Sequence, residues 1–201
     1  MLLALASVAC LLPGGQGLVH DLHLGTDVGV LDGGGGGARA GSPAGSAPAG
    51  SAPAGTMPVA LELPSRQVRA AVVPVAAGPD GALVVPEPPS TVGWWTPSAL
   101  PGGTGGTTVV AGHVDSRTGG IGALAVLREV EVGEPVVLRG ADGRVVAYRV
   151  VARRHHPKAE LPLEIFAVGG PPRLVLITCG GRFDPVTRHY GDNVVVYAEP
   201  V

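Results

Sequence analysis

Leu174-Val-Leu-Ile-Thr-Cys-Gly-Gly181 decides how this chain is read. A run of branched apolar residues ends on Thr178-Cys179, and two glycines follow at once. The run has the length and composition of a β-strand closed by a turn signal. Cys179 is the only cysteine in the C-terminal two-thirds of the chain; the other is Cys10. A strand that ends on a thiol, beside backbone that bends freely, presents a nucleophile well.

Working outward from that strand, other segments read as strands too. Gln67 to Val75 is rich in Val and Ala, and Ala82 to Val85 follows a Pro79-Asp-Gly81 turn. Thr107 to Gly112 is β-branched. Pro135 to Leu138 and Val145 to Val151 flank Gly140-Ala-Asp-Gly143, a hairpin turn, and Asn193 to Ala198 comes last. Only Leu124 to Val130 has helical character, and it is short. Many strands and frequent turns predict an all-β fold with minor short helices, a closed or nearly closed β-barrel, with a sandwich as the second choice. Aromatic residues are 3% of the chain, so Val, Leu, Ile and Ala must fill the core.

The N-terminal third has a different character. Residues 1–27 combine the apolar stretch MLLALASVACLL with a short polar stretch. Twelve apolar residues fall short of the roughly 20 that span a bilayer, so they read as a signal-peptide core or the remnant of a membrane anchor. Residues 28–63 read as a disordered linker, carrying Gly33 to Gly37 and repeats of Gly-Ser-Ala-Pro-Ala that have no side chains to bury. At the flexible limit such a segment reaches about 30 Å, which suits a tether between a membrane and a working domain. Residues 64–201 are then the folded domain. Lys plus Arg number 14 and Asp plus Glu 16, which gives no electrostatic case for a nucleic-acid partner. Cys10 lies far from the folded part, so a disulfide between it and Cys179 is not expected. An unpaired cysteine with a conspicuous histidine is a candidate nucleophile instead.

Three features fall at strand ends. Ala111-Gly-His-Val-Asp115 puts His113 where the Thr107 strand gives way to a loop. Thr178-Cys179-Gly180 is the second, and Phe183-Asp-Pro-Val-Thr-Arg-His-Tyr-Gly-Asp-Asn193, the loop into the last strand, is the third. A thiol becomes nucleophilic as the thiolate, which a nearby imidazolium favours. An imidazole titrates near neutrality and can protonate a departing amine. A guanidinium stays charged and can hold the oxyanion formed on a carbonyl. Cys179, His113 and an arginine of the last loop together fit acyl transfer. The arginine is Arg188, or Arg182 three residues past Cys179.

Metal sites read poorly. His155-His156 are adjacent and would face opposite sides of a strand. A copper centre from His113, Cys179 and His189 would usually want an axial Met, and the only methionines, Met1 and Met57, lie outside the barrel segments. Neither metal nor cofactor is expected.

These strings resemble the sortase family, most closely its actinobacterial class F group. The matching stretches are Pro79-Asp-Gly-Ala-Leu-Val-Val-Pro86, Gly93-Trp-Trp95, Pro101-Gly-Gly103, Ala111-Gly-His-Val-Asp-Ser116, Leu174 to Gly181, Phe183-Asp184 and His189 to Ala198. The resemblance implies a barrel of about eight strands with the catalytic cysteine ending the seventh. It implies Cys179 as nucleophile, His113 as general acid and Arg188 as oxyanion and substrate clamp, with Asp115 and Arg182 in support. Thr178 would line the substrate groove. The stretch His155 to Pro172, joining strands six and seven, would supply its apolar wall with Leu161, Leu163 and Ile165. Ala123 stands where the family often has an aromatic residue.

The implied reaction cleaves a Leu-Pro-x-Thr-Gly-type sorting signal between Thr and Gly through a thioester. The acyl group passes to an amine, anchoring surface proteins to the cell wall. Partners would be signal-bearing surface proteins, an amine from a peptidoglycan precursor or another protein, and the membrane through the N-terminal segment. The location would be extracytoplasmic, tethered or secreted, in the cell-wall zone. Two other readings are a cysteine peptidase that hydrolyses the same signal and a non-catalytic extracellular β-barrel module.

Overall fold

The computed structural model describes residues 26–31, 54–79 and 81–201. In chain order the strands are β1 (Val28–Gly29), β2 (Pro58–Leu63), β3 (Val68–Val75), β4 (Thr91–Trp95) and β5 (Thr107–Ala111). They continue with β6 (Asp115–Ser116), β7 (Gly120–Ile121), β8 (Pro135–Gly140), β9 (Val145–Pro157), β10 (Arg173–Asp184) and β11 (His189–Pro200). The main sheet runs β1-β9-β11-β10-β5-β4-β3-β2-β8, and β8 also pairs with β9. That last pairing closes an eight-stranded barrel from β2, β3, β4, β5, β8, β9, β10 and β11. The β3–β4 and β5–β10 pairs are parallel and the other pairs of the main sheet antiparallel. Helix is confined, among the described residues, to short 3₁₀ segments such as Ala123–Glu129 and Leu163–Phe166.

Two apolar clusters explain the order. One takes a residue from each of the eight strands, including Leu61, Val72, Val92, Val110, Leu138, Val150, Leu176 and Val196, and is therefore the barrel interior. The other lies on the outer face of β5, β10, β11 and β9 and joins Val109, Ala111, Val175, Ile177, Cys179, Val195 and Tyr197 to loop residues Leu161 and Ile165. β10 is thus buried on both faces, which is why its sequence is a continuous apolar run rather than an alternation. Trp94 and Trp95 alternate in the same way: Trp94 fills the interior and Trp95 lies outside, edge-on to Phe166 at 5.2 Å.

Several expectations are corrected. Pro58–Leu63, assigned to the linker by composition, is β2, with Leu61 fully buried. Ordered contacts begin earlier still: Thr56 is buried and donates its hydroxyl to Asp142 at 2.7 Å. Val28–Gly29, also within the linker range, pairs with β9. Arg154 donates to the carbonyls of Val28 and Gly29, and Asp27 accepts from the His155 backbone N–H at 2.9 Å. This strap covers the edge of β9 beyond the end of β8, where unpaired backbone would otherwise invite another strand. The expected strand at Ala82 to Val85 reduces to a single bridge between Ala77 and Leu83. β9 runs on to Pro157, so His155 and His156 belong to a strand and not to the connection after it. The apolar N-terminal stretch and the Gly-Ser-Ala-Pro-Ala repeats lie outside the described residues, apart from the last residues of that stretch at Ala54 and Gly55.

Leu61→Ala is expected to cost about 2–5 kcal/mol in urea denaturation, as for other fully buried leucines. A chain beginning at Pro64 lacks β2 and opens the barrel between β3 and β8. It is expected to lose its cooperative melt, whereas a chain beginning at Ala54 keeps it.

Candidate active site

The parallel pair β5–β10 is in register from Thr107 opposite Arg173 to Ala111 opposite Ile177. Two further bonds extend the pairing past the strand end. The Gly112 N–H donates to the Ile177 carbonyl at 3.1 Å, and the Thr178 hydroxyl donates to the Gly112 carbonyl at 2.8 Å. Only glycine fits there, since a Cβ would lie 2.9 Å from Val92 Cγ1. Two residues beyond Ala111 and Ile177 stand His113 and Cys179. Both continue the outer-face parity of their strands, and adjacent strands are about 4.8 Å apart. The same register, extended by two residues, aligns this histidine with this cysteine.

His113 is buried, and its ring bonds to the Pro86 carbonyl while Nδ1 has no partner. Burial pushes its pKa below the ordinary 6.5, opposed by the Asp115 charge, the Pro86 bond and Glu87. Cys179 is fully buried and, against the expectation of an unpaired thiol, disulfide-bonded here. Cys10 lies outside the described residues. Thiolate chemistry at Cys179 accordingly starts from its reduced form.

Asp115 is 3% exposed and accepts a bond from the Tyr190 hydroxyl at 2.7 Å. Burial, then that bond and the carboxylate charge, push the Tyr190 phenol above its ordinary value. Tyr190 packs on Phe183 with ring centroids 5.2 Å apart. This link ties the turn after His113 to the start of β11. Tyr190 is a site residue that sequence reasoning missed.

The row does not end at Cys179. Across β10–β11 its direct partner is Asn193, and across β11–β9 the partner of Asn193 is His156. Opposed residues in antiparallel strands share a face, so Cys179, Asn193 and His156 form one line across β10, β11 and β9, with His113 following the end of β5 on the other side of β10. Asn193 is 0% exposed, and neither its Oδ1 nor its Nδ2 has a hydrogen-bond partner. His156 Nε2 is also buried without a partner, so the two side chains do not satisfy each other. The signal for Asn193 was present in the sequence: it is a polar residue at the same parity as Val195 and Tyr197, which the outer cluster buries.

The remaining expected residues scatter. Arg188 is exposed at the hairpin tip, in the left-handed region at φ 59°, its N–H donating to the Asp184 carbonyl at 2.7 Å. Arg182 is exposed in a bulge where β10 gains one residue between Gly180 and Phe183. Gly181 takes φ 79° there, and a Cβ on it would strike Asp192 Oδ2 at 2.2 Å. Arg182 borders a cavity of about 360 Å³ with Phe183, Asp184 and Pro185. Neither arginine lies in the row. The Thr178 hydroxyl is spent on Gly112. Leu161 and Ile165 pack into the outer cluster, whereas Leu163 is 61% exposed. Ile165 also lines a cavity of about 420 Å³ with Leu31, Ala167, Val175 and Tyr197, farther along the same face. Among the described residues no cluster of three His, Cys, Asp or Glu side chains could hold a metal.

The sortase domain family matches residues 61–201, more than half of the chain and the whole barrel apart from the first three residues of β2. The chain belongs to the sortase family. Solved sortases share the fold. Sortase A from Corynebacterium diphtheriae is 20% identical with a TM-score of 0.55, over 73% of this chain and 61% of that one. Sortase C-1 from Actinomyces oris is 21% identical with a TM-score of 0.56, over 72% and 75%. Group B Streptococcus pilus island 1 sortase C2 is 19% identical with a TM-score of 0.55, over 71% and 72%. The chain thus spans about three-fifths of the length of the first of these sortases. No curated protein sequence matches it.

A buried imidazole whose pKa is depressed favours the folded state only while neutral. Stability from this source is full above about pH 6.5 and falls as pH drops below it. The melting temperature of the wild type is expected to fall more steeply below pH 6.5 than that of His113→Gln. Parallel curves would mean that this imidazole is not the source.

Proposed function

We propose that this sortase is a cysteine transpeptidase of the class F type. It cleaves a Leu-Pro-x-Thr-Gly-type signal between Thr and Gly and transfers the acyl group to an amine in the cell-wall zone. The observation that supports the reading is the β5–β10 register, whose last pair, Ala111 opposite Ile177, lies two residues before His113 and Cys179. The family membership points to cell-wall sorting as the setting. Signal-bearing surface proteins would be the acyl donors, and a peptidoglycan precursor or another protein the amine acceptor. The N-terminal segment would supply the membrane link.

The chemistry follows from the groups. The reduced Cys179 sulfur, as thiolate, attacks the Thr carbonyl carbon; the C–S bond forms and the carbonyl π pair moves to oxygen. As that pair returns, the C–N bond breaks, and the His113 imidazolium gives its proton to the leaving Gly nitrogen. The resulting thioester is attacked by the acceptor amine, whose proton returns to His113 while the thiolate leaves. Burial disfavours an isolated imidazolium, so the working form is an ion pair in which the thiolate charge offsets that cost. A sheltered site limits loss of the thioester to water.

The expected clamp is an arginine of the β10–β11 hairpin. Position favours Arg182, at the bulge beside Phe183 and three residues from Cys179, over Arg188 at the tip. A charged hydrogen bond of this kind supplies about 1.5–3 kcal/mol, or roughly 10- to 100-fold.

The test incubates the full chain, with reductant, with Leu-Pro-x-Thr-Gly peptides and a competing amine, followed by mass spectrometry. A thioester adduct on Cys179 and a ligated product are expected. Hydrolysed peptide alone would make the chain a peptidase, and no adduct would make it a binding module. Cys179→Ala is expected to abolish turnover, and His113→Ala to lower it by about 10²–10⁴-fold. Arg182→Ala should lower it more than Arg188→Ala; the reverse order would return the clamp to the hairpin tip.

A further inference from the structure

We propose that the Asn193 side-chain amide donates a hydrogen bond to the oxyanion formed on the substrate carbonyl when Cys179 attacks it. The inference rests on the transpeptidase reading and adds a catalytic residue to it.

The position carries the argument. Asn193 is the direct cross-strand partner of Cys179, so their Cβ atoms lie about 4.5–5.5 Å apart on the same face. A carbonyl carbon bonded to sulfur there would place its oxygen within reach of a neighbouring N–H donor. On the other flank stands His113, two residues past the end of β5, so nucleophile and amide sit on the neighbouring strands β10 and β11 and the acid follows the strand on their other side. The amide is neither solvated nor hydrogen-bonded: its residue is 0% exposed, and neither Oδ1 nor Nδ2 has a hydrogen-bond partner.

An unpartnered buried amide costs about 1–3 kcal/mol, and an apolar residue of similar size at the same place would avoid that cost. β11 continues with Val194, Val195 and Val196, so a valine suits the strand. The donor has no partner in the resting fold and would gain one only when charge develops on a bound carbonyl. A hydrogen bond made chiefly in the transition state raises the rate of the chemical step. The guanidiniums on the hairpin are free to hold the peptide, while the sheet itself supplies the donor at the reacting carbon. The reaction is otherwise unchanged: the same C–S bond forms, and the same C–N bond breaks.

The test compares the reduced full-length wild type with Asn193→Ala and Asn193→Val in three measurements. The first is the rate of acyl-enzyme formation with saturating Leu-Pro-x-Thr-Gly peptide. The second is the rate of Cys179 alkylation by iodoacetamide, a displacement that forms no carbonyl oxyanion. The third is the melting temperature. Acylation is expected to fall by about 10²–10³-fold with little change in KM. Alkylation should stay within about twofold, and the melting temperature of Asn193→Val should equal or exceed that of the wild type. Equal losses in acylation and alkylation would overturn the proposal, because the amide would then be acting on the thiolate or on access to it. Unchanged acylation in both variants, or a lowered melting temperature in both, would overturn it as well. A wild type that alkylates but never acylates would instead remove the transpeptidase reading on which the proposal stands.

Discussion

The Gly112 peptide unit holds the site together. Its N–H is taken by the carbonyl of Ile177 and its carbonyl by the hydroxyl of Thr178. Both bonds cross from β5 to β10, at the point where β5 stops being a strand. Without them the chain after Ala111 would be free to leave the sheet, and His113 would have no fixed relation to Cys179. Parallel pairing is central here because it places equivalent residues of two strands side by side. The side chain of Thr178, next to Cys179 in sequence, therefore has a part in holding the two strands together. Its hydroxyl fixes the frame, and Cys179 on the opposite face uses it.

The outer face of the sheet carries a cost that the inner face offsets. His113, Asn193 and His156 each bury a nitrogen with no partner, at about 1–3 kcal/mol apiece. Leu61, Leu138, Leu174, Leu176 and Val196 are each 0% exposed in the interior. Each such side chain contributes about 1.5–3 kcal/mol. A handful of interior residues thus balances the polar row above them. The same strands serve both ends because β10 and β11 alternate: Leu174 and Val196 face in, Cys179 and Asn193 face out.

The stretch of β10 up to Cys179 was legible because a strand covered on both faces must be apolar; its continuation through the glycines to Asp184, where a strand end was expected, was not. His113 was legible because a β-branched run ends just before it. β2 was not, since Pro58 and Ala60 resemble the Pro- and Ala-rich stretch before them, and only the pairing of Leu61 with Ala70 and Leu138 marks it as a strand. β4 escaped because it is only five residues long and Gly93 at its centre breaks the strand signal. Asn193, Tyr190 and His156 depend on register. Cys179 and Asn193 are neighbours only because a bulge at Gly181 and a turn at Arg188 set the count between them, and no local pattern specifies that count. Register also decides where the arginines fall: Arg188 is nearer to the last strand in sequence and lies at the tip of the hairpin, whereas Arg182 lies at the bulge of β10.

The pairing of β1 with β9 changes what the glycine- and proline-rich stretch can do. Residues 26–31 are fastened to one side of the barrel and residue 56 to another. A cord with both ends knotted to the same object lends it no slack. Lengthening or shortening the repeats would change the size of a closed loop and leave the fastenings at residues 26–31 and 56 as they were.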